Sequence, residues 1–145
     1  MAEIEHLDEL MSKLDKLSKV KLDETLNKAC IIVENKAKLA CPVKNNQLRA
    51  SITHEVEETS GVIGTNLAYA PFVEFGTGIY SDKGGGRSTP WCYQDAEGHW
   101  YTTVGMRPQP FLEPALQSSI QDILQLFNKA IKEEVTWWLT INRHW

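Results

Sequence analysis

Residues 76–90, GTGIYSDKGGGRSTP, hold five glycines and a proline. No regular helix or strand tolerates that composition, because glycine costs backbone entropy and proline removes a donor. The core must therefore come from the segments on either side, with this stretch as a long excursion between them. Upstream, Ile4, Leu7, Leu10, Met11, Leu14 and Leu17 recur at three- and four-residue steps, one apolar helical stripe. Val20 and Leu22 break the rhythm. Asp23 suits an N-cap, and Leu26, Ala29, Cys30, Val33, Ala37 and Ala40 begin a second stripe. The pattern predicts two helices, about 3–18 and 23–40, kinked between, with Pro42 ending the second.

CPVKNNQLRASI, residues 41–52, contains the turn pair Asn45-Asn46. Ser51 to Val56 alternates as a strand, with Ile52, His54 and Val56 on one face. Glu57 to Gly61 reads as a polar turn and Gly61 to Gly64 as a short second strand. Thr65-Asn66 is a further turn, and Ala68 to Phe75 fits a strand or a helical turn after Pro71. Beyond the glycine-rich loop, Trp91 and Tyr93 alternate, Asp95 to Gly98 turns, and His99 to Tyr101 alternates again. That predicts a hairpin over 91–94 and 99–103. GMRPQPFLEPALQ, residues 105–117, leads extended into a last helix with Pro114 in its first turn. Leu116, Ile120, Ile123, Leu124, Phe127, Ala130, Ile131 and Val135 give that helix its stripe. The expected fold is α+β. N-terminal helices and a C-terminal helix pack on a small antiparallel sheet, in one domain over 1–145 with a loop-and-hairpin extension over 76–104.

The length of 145 residues suits a single core, and the net charge of −4 argues against nucleic acid as the main partner. No apolar run approaches the roughly 20 residues that cross a bilayer. MAEIEHLDEL lacks the basic start and apolar stretch of a signal peptide, so a cytosolic chain is expected. Cys30, Cys41 and Cys92 are odd in number, without CxxC spacing, and read as reduced thiols.

Glu74, in AYAPFVEFGTG (68–78), is the natural candidate for acid chemistry. A general acid needs a partner and a pocket. Glu113, Asp82 and Asp95 share no recognisable spacing with it, so it reads as an exposed strand-end or turn carboxylate, or one paired with Arg49 or Arg107. Gly76-Thr77-Gly78 and Lys83-Gly84-Gly85-Gly86-Arg87 lack the third glycine or following helix that phosphate loops need. Cys41, Cys92, His54 and His99 are too scattered for a zinc site, and no GxSxG is present. No enzyme, metal or cofactor is expected. Tyr80, Trp91, Tyr93, Trp100 and Tyr101 gather in the loop and hairpin, and Trp137, Trp138 and Trp145 near the C-terminus. They fill a small core or form an interface, where Trp and Tyr concentrate.

Three motifs resemble one family in its usual order. CPVKNNQLRASI is similar to APVxTGxLRxSI, AYAPFVEFGTG to YAxxVEFGTG, and GMRPQPFLEPAL to GxxPQPFLRPAL. Together they resemble the tailed-phage tail-component family, small neck and tail-completion proteins of the head–tail junction. The residues carrying the resemblance are Pro42, Leu48, Arg49, Tyr69, Glu74, Phe75, Gly76, Gly78, Pro110, Phe111, Leu112 and Pro114. Asn45-Asn46 replaces the usual Thr-Gly, Glu113 replaces a common Arg, and WWLTINRHW has no counterpart. The resemblance implies an α+β fold and a structural role, completing or joining the tail to the head, without catalysis or cofactor. It implies a ring, commonly hexameric, between a head-side connector or head-closure protein and a tail terminator or tail tube. DNA would be passing cargo and no membrane is involved. The protein would sit in the virion at the head–tail junction after assembly in the host cytoplasm.

On this reading Tyr69 to Phe75 packs, Gly76 and Gly78 launch the loop, and Phe111 and Leu112 anchor the last helix to the sheet. Residues 79–103 would order on contact with an adjacent subunit or stacked ring, with the aromatics as the interface. The competing readings are a small hydrolase using Glu74 or Cys41, a nucleic-acid-binding module, and a tail terminator or head-closure protein of the same neck.

Overall fold

The computed structural model describes residues 2–43 and 46–141. The order is α1 (Ala2–Ala40), α2 (Asn46–Ser51), β1 (Thr53–Glu57), β2 (Ser60–Gly64), α3 (Ala70–Phe75), β3 (Trp91–Gln94), β4 (Trp100–Thr103) and α4 (Leu112–Ile141). A single 3-10 turn, Gly78–Tyr80, follows α3. The mixture of helices and antiparallel strands is the expected α+β class.

The N-terminal segment is one helix, not two. Nothing between Ala2 and Ala40 is a proline or glycine, the usual causes of a sharp kink, so the slip in the stripe at Val20 does not interrupt the backbone. Asp23 is a helix-interior residue, and the Thr25 hydroxyl beside it donates to the Lys21 carbonyl at 2.7 Å. Lys38 in the last turn complements the negative end of the helix dipole. The strand expected from Ser51 begins instead at Thr53, because Ser51 closes α2, its hydroxyl donating to the Leu48 carbonyl at 2.8 Å. Asn46 opens that unexpected short helix, while Asn45 of the expected turn pair lies outside the described residues. So does Trp145.

The strands form two separate two-stranded ribbons where one sheet was expected. In the first, Thr53 faces Gly64 and Glu57 faces Ser60, leaving Glu58-Thr59 as the turn. In the second, Trp91 faces Thr103 and Gln94 faces Trp100, close to the predicted hairpin. Isolated ribbons are marginal in water, so the first leans on α1. His54 Nδ1 pairs with Glu34 of α1, and its Nε2 lies 3.0 Å from Asn27 Oδ1.

Helix against helix makes the main layer. Lys36 Nζ donates to the Ser118 carbonyl (2.8 Å) and Asp122 Oδ2 (2.7 Å), and Lys21 lies 3.8 Å from Glu134. Contacts that climb α1 while descending α4 show that the two helices run antiparallel. The core sits at one end of this pair. Val33, Ala37 and Cys41 of the α1 end meet Leu48, Ile52, Ala70, Phe111 and Ala115, with Ile63, Leu67, Val73, Leu112 and Ile123 against its edge. Phe111 therefore meets mainly helical partners, and the first ribbon reaches this cluster through Ile63.

Phe111 is fully buried and the largest side chain in the cluster. Phe111→Ala is expected to lower unfolding free energy by about 3–5 kcal/mol, read from urea melts. A second expectation concerns acid. Hydrogen bonds from His54 and then Lys38 hold the Glu34 carboxyl below the usual glutamate range, against an opposing effect of burial. A depressed folded pKa stabilises the fold above the unfolded value of about 4.3, and that stability is lost as pH falls through the folded value. Wild type should therefore lose stability between pH 5 and 3 more steeply than Glu34→Gln, measured by melts across that range.

Candidate functional site

The α3 helix is a single turn of six residues, and its fifth, Glu74, is buried. Its carboxylate points at the start of α4. Oε2 accepts from the Phe111 N–H at 2.7 Å and the Leu112 N–H at 3.0 Å, and Oε1 from the Glu113 N–H at 3.0 Å. A helix leaves its first four N–H groups without internal partners. Here the fourth position is Pro114, which has no N–H, so one carboxylate satisfies all that remain. A negative charge there also opposes the positive end of the dipole. Neither Arg49 nor Arg107 pairs with Glu74, and it is not an exposed turn residue. Both of its oxygens are occupied by backbone donors, which leaves it no proton-transfer geometry of the kind a general acid needs.

The same region closes the root of the extension. The Gln109 N–H donates to the Val73 carbonyl at 2.8 Å, and the Asp82 N–H to the Phe75 carbonyl at 2.9 Å. Gly76 follows α3 with φ of 73°. Then the outgoing and returning chains clasp. Thr77 N–H donates to Met106 carbonyl (2.9 Å), Ile79 N–H to Val104 carbonyl (3.0 Å), and Met106 N–H to the Thr77 hydroxyl (2.9 Å). Gly78 and Gly105 face each other across this clasp at φ of 62° and 127°. A Cβ on Gly78 would lie 2.0 Å from the Val104 carbonyl oxygen, and one on Gly105 would lie 2.0 Å from that of Thr77. Only glycine lets the two chains approach this closely.

Beyond the clasp, three cations lie over rings. Lys83 sits 4.6 Å from the Phe75 centroid, Arg107 5.2 Å from Tyr80, and Arg87 5.8 Å from Trp91. In the hairpin, Tyr93 and Tyr101 stack at 5.5 Å. Asp95 Oδ1 accepts from the Glu97 and His99 N–H groups, both at 2.9 Å, which locks the turn. Those bonds, the one from His99 foremost, hold the Asp95 carboxyl below its ordinary value. Asp95, Glu97 and His99 offer ligand atoms within 4.8 Å of one another, but the arrangement is that of a hydrogen-bonded turn. Tyr93, Trp100 and Tyr101 are exposed, Trp100 at 71%, while Tyr80 and Trp91 are half-buried.

The remaining candidates divide between core and surface. Leu48 is buried, Leu112, Phe75 and Pro42 are half-buried, and Tyr69, Pro110 and Pro114 are exposed. Tyr69 precedes α3, and its carbonyl accepts from Phe72 and Val73. Arg49 is half-buried on α2, with no described acceptor for its Nε. Cys30 and Cys41 are buried and burial pushes both thiols up, while Cys92 is exposed beside Thr102. Apolar side chains Leu116, Ile120, Leu124, Ile131, Val135 and Leu139 of α4 are also exposed.

Residues 7–76 match the family model described as "Bacteriophage HK97-gp10, putative tail-component". That match agrees with the tailed-phage tail-component family resembled by the three motifs. It points to a structural component of a phage tail. It spans α1 to α3 and stops at Gly76, where the extension begins. No curated protein and no solved structure matches the chain. Among the described residues, no helix is long and apolar enough to cross a membrane.

Removing the remote cap has a defined cost. Glu74→Ala should destabilise the protein by at least about 3 kcal/mol, since three N–H groups lose a charged acceptor. Glu74→Gln should cost roughly 1–3 kcal/mol, because its amide turns a donor toward N–H groups. A thermal or urea melt reads both, and a Glu74→Gln protein as stable as wild type would refute the capping role.

Proposed function

We propose that this chain is a ring-forming subunit of the phage head–tail junction, which completes the tail or joins it to the head. The single observation that carries this reading is the exposed aromatic hairpin on a clasped root. Tyr93, Trp100 and Tyr101 present ring area to solvent on an element that buries little of it within its own chain. The phage tail-component match to α1–α3 supports the class of role. Residues 1–145 act as one domain, with the extension over 76–104 as a contact arm toward an adjacent subunit or a stacked ring. The facing proteins on this reading are a head-side connector or head-closure protein and a tail terminator or tail tube protein. The ring, commonly six-membered in such necks, surrounds DNA as passing cargo.

The structure favours one change in how the arm engages. The hairpin register, the Tyr93–Tyr101 stack and the Asp95 turn are formed within the single chain. A preformed arm loses less entropy on docking than one that orders on contact. Its engagement then depends on the exposed rings more than on folding. The hydrolase reading has little to rest on, with Glu74 committed to α4 and Cys41 in the core.

Deletion of residues 80–102 with a short glycine linker is expected to leave the helical core folded and to abolish production of infectious particles. Trp100→Ala with Tyr101→Ala should reduce joining of purified protein to isolated tails by tenfold or more, measured by sedimentation. Infectious particles assembled from the deleted protein would overturn the arm's role.

A further inference from the structure

Arg49 is a cation without an anion. Its Nε is sealed from solvent and meets no acceptor, and no ion pair to its guanidinium occurs among the described residues. Buried N–H groups are almost always paired, so the site is incomplete as it stands. It opens on a groove of about 320 Å³ lined by Asn35, Lys38, Leu39 and Arg49. Lys38 is already neutralised by Glu34, which leaves Arg49 as the uncompensated charge. Leu39 is 79% exposed beside it. A guanidinium fork matches a carboxylate with two parallel bonds, and Leu39 supplies an apolar flank that would strengthen such a contact by excluding water.

The same chain carries the complementary charge elsewhere. Glu57 ends β1 and Glu58 begins the tight turn of the first ribbon; both are exposed, and neither forms an ion pair with any described residue. Strand β1 separates this turn from α2. At about 3.3 Å per residue, its five residues hold the two charges roughly 17 Å apart, so they cannot meet within one molecule. Unlike patches at opposite ends of one small unit are what a head-to-tail, ring-closing contact requires.

We propose that Arg49 receives the turn carboxylates Glu57 and Glu58 of a second copy of this chain. The inference rests on the ring reading above and names one contact that would close the ring. The test is a concentration series by analytical ultracentrifugation on the full chain. Wild type, Arg49→Glu, the pair Glu57→Arg with Glu58→Arg, and all three changes together are compared. Each reversal alone is expected to weaken self-association at least tenfold, and the combination to restore it to within about threefold of wild type. Arg49→Met keeps the aliphatic stem while removing the unmet N–H. It should leave the melting temperature of dilute monomer unchanged or higher while weakening association, which a purely structural arginine would not do. Wild type monomeric at every concentration, reversals that associate like wild type, or a triple variant that stays dissociated would each overturn the pairing. A failed ring reading looks different: wild type then neither associates nor joins isolated tails.

Discussion

The carboxylate of Glu74 is the interaction on which the rest depends. It reaches across from a one-turn helix to supply every acceptor that the first turn of a 30-residue helix needs. The residue it holds first, Phe111, is also the largest fully buried side chain. Capping and core packing are therefore one event. A helix start that drifted by a turn would lose the three bonds and withdraw Phe111 from Val33, Ala37, Leu48 and Ile52 together. The pairing of α4 with α1 through Lys36 and Asp122 begins only two turns further on, so the cap also sets the register of the helical layer.

Glu74 has a second consequence because of where it lies in the chain. It stands just before the extension departs, and its partners stand just after the extension returns. The cap is thus a tie across the base of a long excursion. Closing a flexible loop of this size costs on the order of 3 kcal/mol in chain entropy. The cap, the Gln109 and Asp82 backbone bonds and the Thr77–Met106 clasp together offset that cost. Gly78 and Gly105 let the two backbones close on each other below the tie. The wild composition of the 76–90 stretch is then less slack than it looks, since two of its glycines belong to the root and only the Lys83–Arg87 run is free of close packing at Gly84 and Gly85.

What the sequence made legible follows from local physics. The hairpin at 91–103, the first ribbon, Pro42 and the last helix all carry short-range signals, and each occurs within a residue or two of its expected place. The failures are equally physical. A shift of stripe at Val20 mimics a helix end, yet without a breaker the hydrogen-bond ladder continues. The α2 turn is six residues long, too short for periodicity to reveal. Whether two ribbons join into one sheet is a tertiary matter that alternation cannot encode. Glu74 was visible as unusual, but its partner lay in an absence: PQPFLEP opens a long helix without Ser, Thr, Asp or Asn at the cap position, so an acceptor had to come from elsewhere. Reading the uncapped helix beside the unexplained acid would have joined them.

This arrangement also separates what the fold needs from what it displays. The motif residues Leu48, Glu74, Gly76, Gly78 and Phe111 are consumed inside the molecule, in core, cap and clasp. Arg49, though one position from Leu48, is not consumed, and neither are Tyr93, Trp100 and Tyr101. A short motif can thus carry two kinds of residue, one that builds the domain and one left over for a neighbour. The aromatic arm projects from a root that is tied to the core by backbone bonds, so force or displacement at the hairpin would be felt first at the Thr77–Met106 clasp and then at the Glu74 cap. Because that cap also fixes α4, contact at the arm and the position of the helical layer are mechanically linked through a single buried carboxylate.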